Sequence, residues 1–268
     1  MALPPPGTDS AAIVTGASSG IGEEFAKIFA ARGYQVILVA RSADKLEDLA
    51  ARLGSQAHPL PADLSHRSDR AGLLDRVAAL GLSPDILVNN AGLSTLGLVA
   101  ESVPEKELNL VEVDVAAVVD LCSRFLPGMV ERHRGAILNV ASVAAFGPLP
   151  GQAAYGAAKA FVLSYTHSLR GELKGTGVTV TALCPGPVDT GFGEAAGFTK
   201  EEADSALPRV MWVPAEQVAK GGVDGLAAGK AVVIPGRVNR VAAGIFRVAP
   251  PELMLPFLAR NHPALKRK

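Results

Sequence analysis

TGASSGIG, residues 15–22, lies between an apolar run at residues 11–15 and a helix-like segment at residues 20–31. Glycines at such a junction allow a tight turn and a close approach of the backbone to a pyrophosphate, and the N–H groups that open the helix face the anion. The turn is a weak signal alone, because many glycine-rich loops bind nothing. Its position between a strand and a helix predicts a dinucleotide site. To this site we assign Gly16, Ser18, Ser19, Gly20, Ile21 and Gly22.

Strand-like and helix-like segments alternate along the chain. The predicted strands are residues 11–15, 35–40, 57–62, 85–89, 136–140, 178–184 and 231–234. The predicted helices are residues 20–31, 42–53 with Ser42 as N-cap, 65–80, 104–132, 152–174 and 214–228. Short apolar runs separated by longer helices indicate a parallel sheet that is covered on both faces. We therefore predict the α/β class, with a single doubly wound Rossmann-type parallel sheet.

The chain has no internal repeat or low-complexity linker, so the sequence predicts one domain. Residues 1–9 are Pro-rich and predict a flexible N-terminus. Residues 10–235 would form the cofactor-binding Rossmann domain with the catalytic site. Residues 191–209 are polar and poorly periodic, which indicates a mobile insertion. Residues 236–268 would form a helical tail of the same domain.

Composition argues against several classes of partner and site. Lys+Arg and Asp+Glu number 26 each among 268 residues, so no global field favours nucleic acid or a membrane surface. No apolar run reaches the length of about 18 to 20 residues that a spanning helix needs. Cys122 and Cys184 lie in apolar runs without metal-ligand spacing, which favours reduced core thiols and no metal. We expect a cytoplasmic protein without a nucleic-acid partner or a transmembrane segment.

Arg41 follows the second predicted strand, about 20 residues beyond the glycines. An acidic residue there would hydrogen-bond the ribose of NAD, whereas an arginine accommodates the 2′-phosphate of NADP. The guanidinium donates a fork of hydrogen bonds suited to phosphate, and Ser42 adds a hydroxyl. The alternative is a solvated arginine at a strand end. The pattern predicts NADP(H) as the cofactor.

Tyr155 and Lys159 are four residues apart in a predicted helix and therefore share one face. A free tyrosine has a pKa of about 10, and a nearby ammonium favours the phenolate. Tyr155 could then act as an acid or a base. Ser142 follows a predicted strand at the sheet edge where ligands bind, so its hydroxyl could donate to a substrate oxygen. Each signal alone is weak, because such helix pairs and turn serines are common.

Together these motifs resemble the short-chain dehydrogenase/reductase family. The glycine turn is similar to that family's TGxxxGxG, and residues 89–92 resemble its NNAG. Ser142 with Tyr155-x-x-x-Lys159 resembles its catalytic serine and YxxxK pair. The segment PGPVDT at residues 185–190 looks like its PG segment after the sixth strand. The resemblance covers roughly residues 10–235.

The resemblance implies functions for these residues. Tyr155 would exchange a proton with the substrate oxygen, Lys159 would hold the nicotinamide ribose and lower the tyrosine pKa, and Ser142 would orient the carbonyl. Asp63 and Leu64 would contact the adenine. The remaining cofactor contacts implied by the family are Asn90, Ala91, Gly92, Tyr155, Lys159, Pro185, Gly186, Val188 and Thr190.

Asp114 is the departure from the family pattern. Counting back from Ser142 places it where close relatives carry an asparagine that kinks the long helix and helps to hold a water connected to the lysine. An aspartate accepts hydrogen bonds but lacks the amide donor. If ionised near Lys159, it would stabilise the ammonium. We predict a modified but working relay that includes Asp114 as a catalytic-site residue.

The sequence therefore predicts an NADP(H)-dependent oxidoreductase that interconverts a carbonyl and an alcohol, with a hydrophobic small-molecule substrate. The alternative from another class is a non-catalytic NADP(H)-binding sensor or scaffold, and an epimerase or dehydratase would use the same tyrosine. The resemblance implies a homodimer or homotetramer formed through the long helices. The apolar, basic tail predicts a lid or subunit contact, a surface-seeking amphipathic segment, or a helix pair packed on its own domain.

Overall fold

The sheet defines the fold. The structure, a computed structural model, describes residues 3–199, 201–202, 208–261 and 265. Its strands are β1 (Ser10–Thr15), β2 (Gln35–Val39), β3 (Ala57–Pro59), β4 (Ser83–Asn89), β5 (Gly135–Val140), β6 (Val178–Leu183) and β7 (Val232–Val233). All pair in parallel, in the order β3-β2-β1-β4-β5-β6-β7.

The helices connect these strands and cover the sheet. They are α1 (Gly20–Ala31), α2 (Ala43–Leu53), α3 (Arg67–Ala78), α4 (Pro104–Val111), α5 (Ala117–Glu131), α6 (Ala153–Glu172), α7 (Phe192–Ala195), α8 (Ala215–Ala227), α9 (Arg237–Val248) and α10 (Pro251–Asn261). Helical turns of one type or another also occur at Val99–Glu101, Glu112–Ala116, Val143–Phe146 and Arg209–Met211.

Two apolar layers sandwich the sheet, because successive strand residues point to opposite faces. Ile13 packs in the layer beneath α3, α5 and α6, and its neighbour Val14 packs in the layer beneath α1, α2 and α8. Both side chains are fully buried. The prediction of a doubly wound parallel sheet with helices on both faces is confirmed.

The helix predicted at residues 104–132 is present, but its middle is not regular α-helix. It consists of α4, the π turn Glu112–Ala116 and α5, so one turn of the helix holds an extra residue. This turn contains Asp114. The apolar period of the sequence continues across the turn, which explains why it was predicted as one helix.

Smaller differences occur at element ends. The third strand ends at Pro59 instead of residue 62. Ser42 takes the N-cap position of α2 in extended backbone geometry, but among the described residues its side chain makes no capping hydrogen bond. The N-terminal residues also have contacts, since Leu3 packs against the core and the Pro4 carbonyl accepts a hydrogen bond from the Tyr34 hydroxyl.

The segment predicted as a mobile insertion begins with α7 and reaches the turn Arg209–Met211. Residues 200 and 203–207 of it lie outside the described residues. Within the predicted helical tail, residues 237–248 and 251–261 form α9 and α10. Residues 262–264 and 266–268 of it lie outside the described residues. Over the described part of the chain, no helix combines the length and apolar character needed to cross a membrane.

Candidate active site

The site lies at the carboxyl edge of the sheet, where the strand order reverses. The chain runs outward from β1 to β3 and then starts again at β4 on the other side of β1. In open α/β sheets a crevice forms at this switch point, and ligands bind there. The segments after β1, β4, β5 and β6 carry most of the predicted site residues.

The glycine turn has the geometry of a pyrophosphate cradle. Gly16 and Gly20 have φ angles of 66° and 58°, a region that side chains disfavour. A Cβ atom on Gly16 would lie 2.9 Å from Ala91 Cα, and one on Gly22 would overlap the Gly16 carbonyl. Ser19 is exposed at the N-cap of α1, and no described side chain caps that helix. Its first N–H groups therefore remain available to an anion.

Thr15 connects this turn to the segment after β4 through hydrogen bonds. Its Oγ1 accepts hydrogen bonds from the backbone N–H groups of Asn90 and Ala91, at 2.9 and 3.0 Å. The Asn90 side-chain amide donates to the Thr15 carbonyl at 2.9 Å. The two halves of the crevice are thus held at a fixed distance.

Arg41 and Asp63 lie at the ends of neighbouring strands. Arg41 is exposed, and its charge contributes to lowering the pKa of Asp63. Burial acts to raise that pKa, but hydrogen bonds from Ser65 outweigh it. Leu64 is buried in the core, so only its backbone is available to a ligand.

Ser142, Tyr155 and Lys159 come together as predicted from the sequence. Ser142 follows β5, and its side chain is close enough to Tyr155 to act to lower the Tyr155 pKa. Tyr155 and Lys159 lie one turn apart on α6, and Lys159 Nζ is 5.6 Å from the centre of the Tyr155 ring. Lys159 Nζ also donates to the Val140 carbonyl at 3.2 Å.

Asp114 completes this group. Its Oδ2 lies 2.9 Å from Lys159 Nζ, and both side chains are almost fully buried, at 0% and 6% exposure. Its Oδ1 accepts from the Leu93 N–H at 2.6 Å. A Cβ atom on Gly92 would lie 3.1 Å from the carboxylate and 3.2 Å from the ammonium, so Gly92 leaves room for the ion pair.

The segment after β6 closes the other side of the crevice. Pro185 is buried and its carbonyl lies 3.5 Å from Ser142 Oγ, while Val188 packs against the core. Thr190 reaches back to the glycine turn, since a Cβ atom on Gly20 would lie 2.9 Å from its Cβ. The segments that carry the predicted cofactor contacts therefore surround one crevice.

Comparison with known proteins identifies the family. The sequence profile described as "short chain dehydrogenase" matches residues 10–200. The chain belongs to the short-chain dehydrogenase family. The resemblance in the sequence motifs is thereby confirmed, and the chain is an oxidoreductase of this family.

Individual relatives agree with this assignment. The chain is 36% identical over 207 residues to an uncharacterized oxidoreductase of Staphylococcus epidermidis, covering 76% of this chain and 90% of the relative. A short-chain dehydrogenase from Sphingobium yanoikuyae in complex with NADPH superposes with a TM-score of 0.78 at 30% identity, covering 90% and 96% of the two chains. The 3-ketoacyl-(acyl-carrier-protein) reductase from Brucella melitensis complexed with NADH gives 0.77 at 29%, covering 85% and 96%.

Burial is the largest influence on the pKa values of the ionisable side chains in this short-chain dehydrogenase site. It raises the pKa of Tyr155 above its ordinary value, while the Lys159 charge and the Ser142 hydrogen bond act to lower it. Lys159 acts to lower the pKa, but burial outweighs its influence, so the net shift is opposite to the lowering that the resemblance implies. Burial also raises the pKa of Asp114. It acts to lower the pKa of Lys159, but the nearby Asp114 raises that pKa above its usual value.

Sequence reasoning missed several residues around the site. The Phe192 ring lies 5.9 Å from the Tyr155 ring, and Cys184 lies close enough for its interaction with Lys159 to contribute to the thiol's pKa, which burial raises to about 12. Phe246 and Met254 of the tail approach within 3.3 Å of where a Gly147 Cβ would stand. Cys184 had a detectable signal, because it directly precedes the PG segment, and a lid was one of the three interpretations of the tail that carries Phe246 and Met254. The contact of Phe192 had none, because no local pattern specifies how α7 packs.

Proposed function

We propose that this chain is an NADP(H)-dependent oxidoreductase that interconverts a carbonyl and an alcohol on a hydrophobic small molecule. The observation that carries the proposal is the Tyr155 side chain, whose ring centre lies 5.6 Å from Lys159 Nζ and whose pKa both Lys159 and Ser142 act to lower. A proton donor with these neighbours suits a reaction in which charge develops on a substrate oxygen.

In the reducing direction, Tyr155 donates its proton to the carbonyl oxygen as that oxygen gains negative charge. In the oxidising direction, the phenolate takes the proton from the alcohol. Ser142 donates a hydrogen bond to the same oxygen and fixes its position. The Lys159 ammonium stabilises the phenolate. The nicotinamide, when bound, supplies or accepts the hydride at the substrate carbon.

Apolar side chains around the crevice support a hydrophobic substrate. Phe192 lies against Tyr155, and Phe246 and Met254 lie against Gly147 in the segment that follows Ser142. Such a lining binds apolar groups better than charged ones, because polar groups lose hydration there without gaining partners.

A screen of carbonyls and alcohols with purified protein tests the proposal. The panel pairs each apolar ketone or aldehyde with a charged analogue, and each is assayed with NADP(H) and with NAD(H). We expect turnover of apolar members with NADP(H). Cofactor binding without turnover of any member would instead favour a sensor. Product analysis distinguishes hydride transfer from epimerisation or dehydration.

Arg41 supports NADP(H) as the preferred cofactor. The two solved relatives contain NADPH in one case and NADH in the other, so the fold leaves the choice open. Arg41 supplies a guanidinium at the end of β2, where a 2′-phosphate would lie. No acidic residue occupies position 40 or 41 to bind the ribose hydroxyls instead.

Changing Arg41 to alanine is expected to raise the KM for NADPH roughly tenfold, because one exposed charge-assisted contact is lost. The KM for NADH should change little. Lys174→Ala is the matched control, since Lys174 is exposed between α6 and the start of β6, at the opposite edge of the sheet. Steady-state kinetics with both cofactors measure the effect. A wild-type enzyme that strongly prefers NADH would contradict the proposed role of Arg41.

We propose that Asp114 acts on Tyr155 through Lys159. Its negative charge raises the pKa of Tyr155. Asp114→Asn should therefore lower that pKa and make the phenolate available at lower pH. The rising limb of kcat/KM for alcohol oxidation is expected to move to lower pH, as a pH–rate profile would measure. An unchanged profile and rate would show that position 114 has no influence on the reaction.

We also propose a homodimer or homotetramer in the cytoplasm. Leu108, Val111 and Phe161 expose apolar side chains on α4 and α6, in line with association through the long helices. Cys122 and Cys184 are buried and unbridged, in line with a reducing compartment.

A further inference from the structure

The tail concentrates positive charge in a chain whose net charge is zero. Residues 237–268 contain seven basic residues and one acidic residue, Glu252, so the rest of the chain has six more acidic than basic residues. The basic residues of the tail are Arg237, Arg240, Arg247, Arg260, Lys266, Arg267 and Lys268. The zero net charge of the whole chain therefore includes a tail, residues 237–268, with a net charge of +6.

The outer face of α9 is apolar. Val238, Val241, Ile245 and Val248 are spaced by three and four residues, which places them along one side of the helix. Their exposed fractions are 37%, 64%, 58% and 81%. A helix that packs only on its own domain normally presents polar residues on this side.

The inner face of α9 packs on the rest of the domain. Asn239 is buried and its amide donates to the carbonyls of Met211 and Pro235, at 2.9 and 3.0 Å. Ala243 is also buried, and Phe246 reaches Gly147 beside the candidate active site. These contacts fix α9 with its apolar stripe facing outward.

Three arginines accompany the stripe. At about 100° per residue, Arg237, Arg240 and Arg247 fall along one flank of it. All three are exposed. Apolar side chains on the outer face with cationic side chains along the flank match a helix that lies in the headgroup region of a bilayer.

We propose that α9, residues 237–248, docks the enzyme on an anionic lipid surface. The apolar stripe of α9 would enter the interface, and the arginines would contact acidic headgroups. A second copy of this chain fits the surface less well, because two tails with six net positive charges each would repel. The proposal concerns binding and does not depend on the catalytic activity.

Sedimentation with lipid vesicles tests this docking on the full chain. We expect binding to vesicles of phosphatidylcholine with one quarter phosphatidylglycerol, little binding to phosphatidylcholine alone, and release as salt rises above about 0.1 M. Replacing Arg237, Arg240 and Arg247 by glutamine should weaken the partition about fivefold per arginine. The double variant Val241→Glu/Ile245→Glu should abolish it.

The matched control is Val99→Glu/Val103→Glu, which adds the same charges at exposed apolar positions outside the tail. Circular dichroism melting shows that each variant folds. Binding that survives in the Val241/Ile245 variant, or a wild-type chain that ignores acidic vesicles, would overturn the proposal. So would a concentration-dependent dimer, measured by light scattering without lipid, that only the Val241/Ile245 variant loses.

Discussion

Replacing Tyr155 by phenylalanine is expected to lower kcat about a thousandfold, the usual contribution of a positioned acid or base. The phenyl ring keeps its place beside Phe192, so the crevice retains its shape. The substitution removes the hydroxyl group that we propose exchanges the proton with the substrate. Cofactor affinity should remain within a few-fold of the wild type.

Turnover assays measure the expected loss of kcat, and a fluorescence titration with the cofactor measures the retained affinity. Tyr165→Phe is a suitable control, because Tyr165 lies on the same helix and stacks on Phe161, away from the crevice. A Tyr155→Phe enzyme with wild-type kcat would contradict acid–base catalysis by this residue. Loss of cofactor binding together with activity would instead indicate a structural role.

Replacing Lys159 by methionine is expected to destabilise the protein by about 3–5 kcal/mol at neutral pH, because it leaves the Asp114 carboxylate buried without its counter-charge. Activity should also be lost, since the ammonium that stabilises the Tyr155 phenolate is then absent. Urea unfolding and kcat give the two effects separately.

A second substitution separates these effects. In Lys159→Met/Asp114→Asn neither buried charge of this pair remains, so most of the lost stability should return while activity stays low.

The pH dependence of stability in the single variant Lys159→Met follows from the Asp114 carboxyl. Burial raises the pKa of Asp114, so its protonated form stabilises the fold at acid pH and this contribution is lost as the pH rises. The instability of the single variant should therefore diminish toward acid pH. A single variant equally unstable at all pH values would contradict this account.

The fold and most of the crevice could be predicted from the sequence. Alternating apolar runs determine the parallel sheet, and the spacing from Tyr155 to Lys159 determines a shared helix face. Position 114 could be located by counting from Ser142, but its partner Leu93 could not, because a backbone N–H has no sequence signature. The π turn at residues 112–116 has no sequence signature either, since one extra residue in a single turn scarcely changes the apolar period.

The tail was open to three interpretations because an amphipathic pattern does not state which face is buried. Asn239 illustrates the difficulty. A polar residue among valines would normally be assigned to the outside, yet it is fully buried and holds two carbonyls. Tertiary hydrogen bonds reversed the expected orientation and left Val241 and Ile245 exposed.

The wide turn that carries Asp114 makes the length of the surrounding helix matter. Removing any one residue between 112 and 116 would allow the helix to return to regular α-helical winding. The flanking helices α4 and α5 would keep the faces that they present, because a π turn accommodates one residue more than an α-helical turn. The local bulge would disappear, and with it the position from which the Asp114 carboxyl now meets the ammonium and the Leu93 N–H. A one-residue deletion here would therefore disturb the site while the packing of the rest of the helix stays in place.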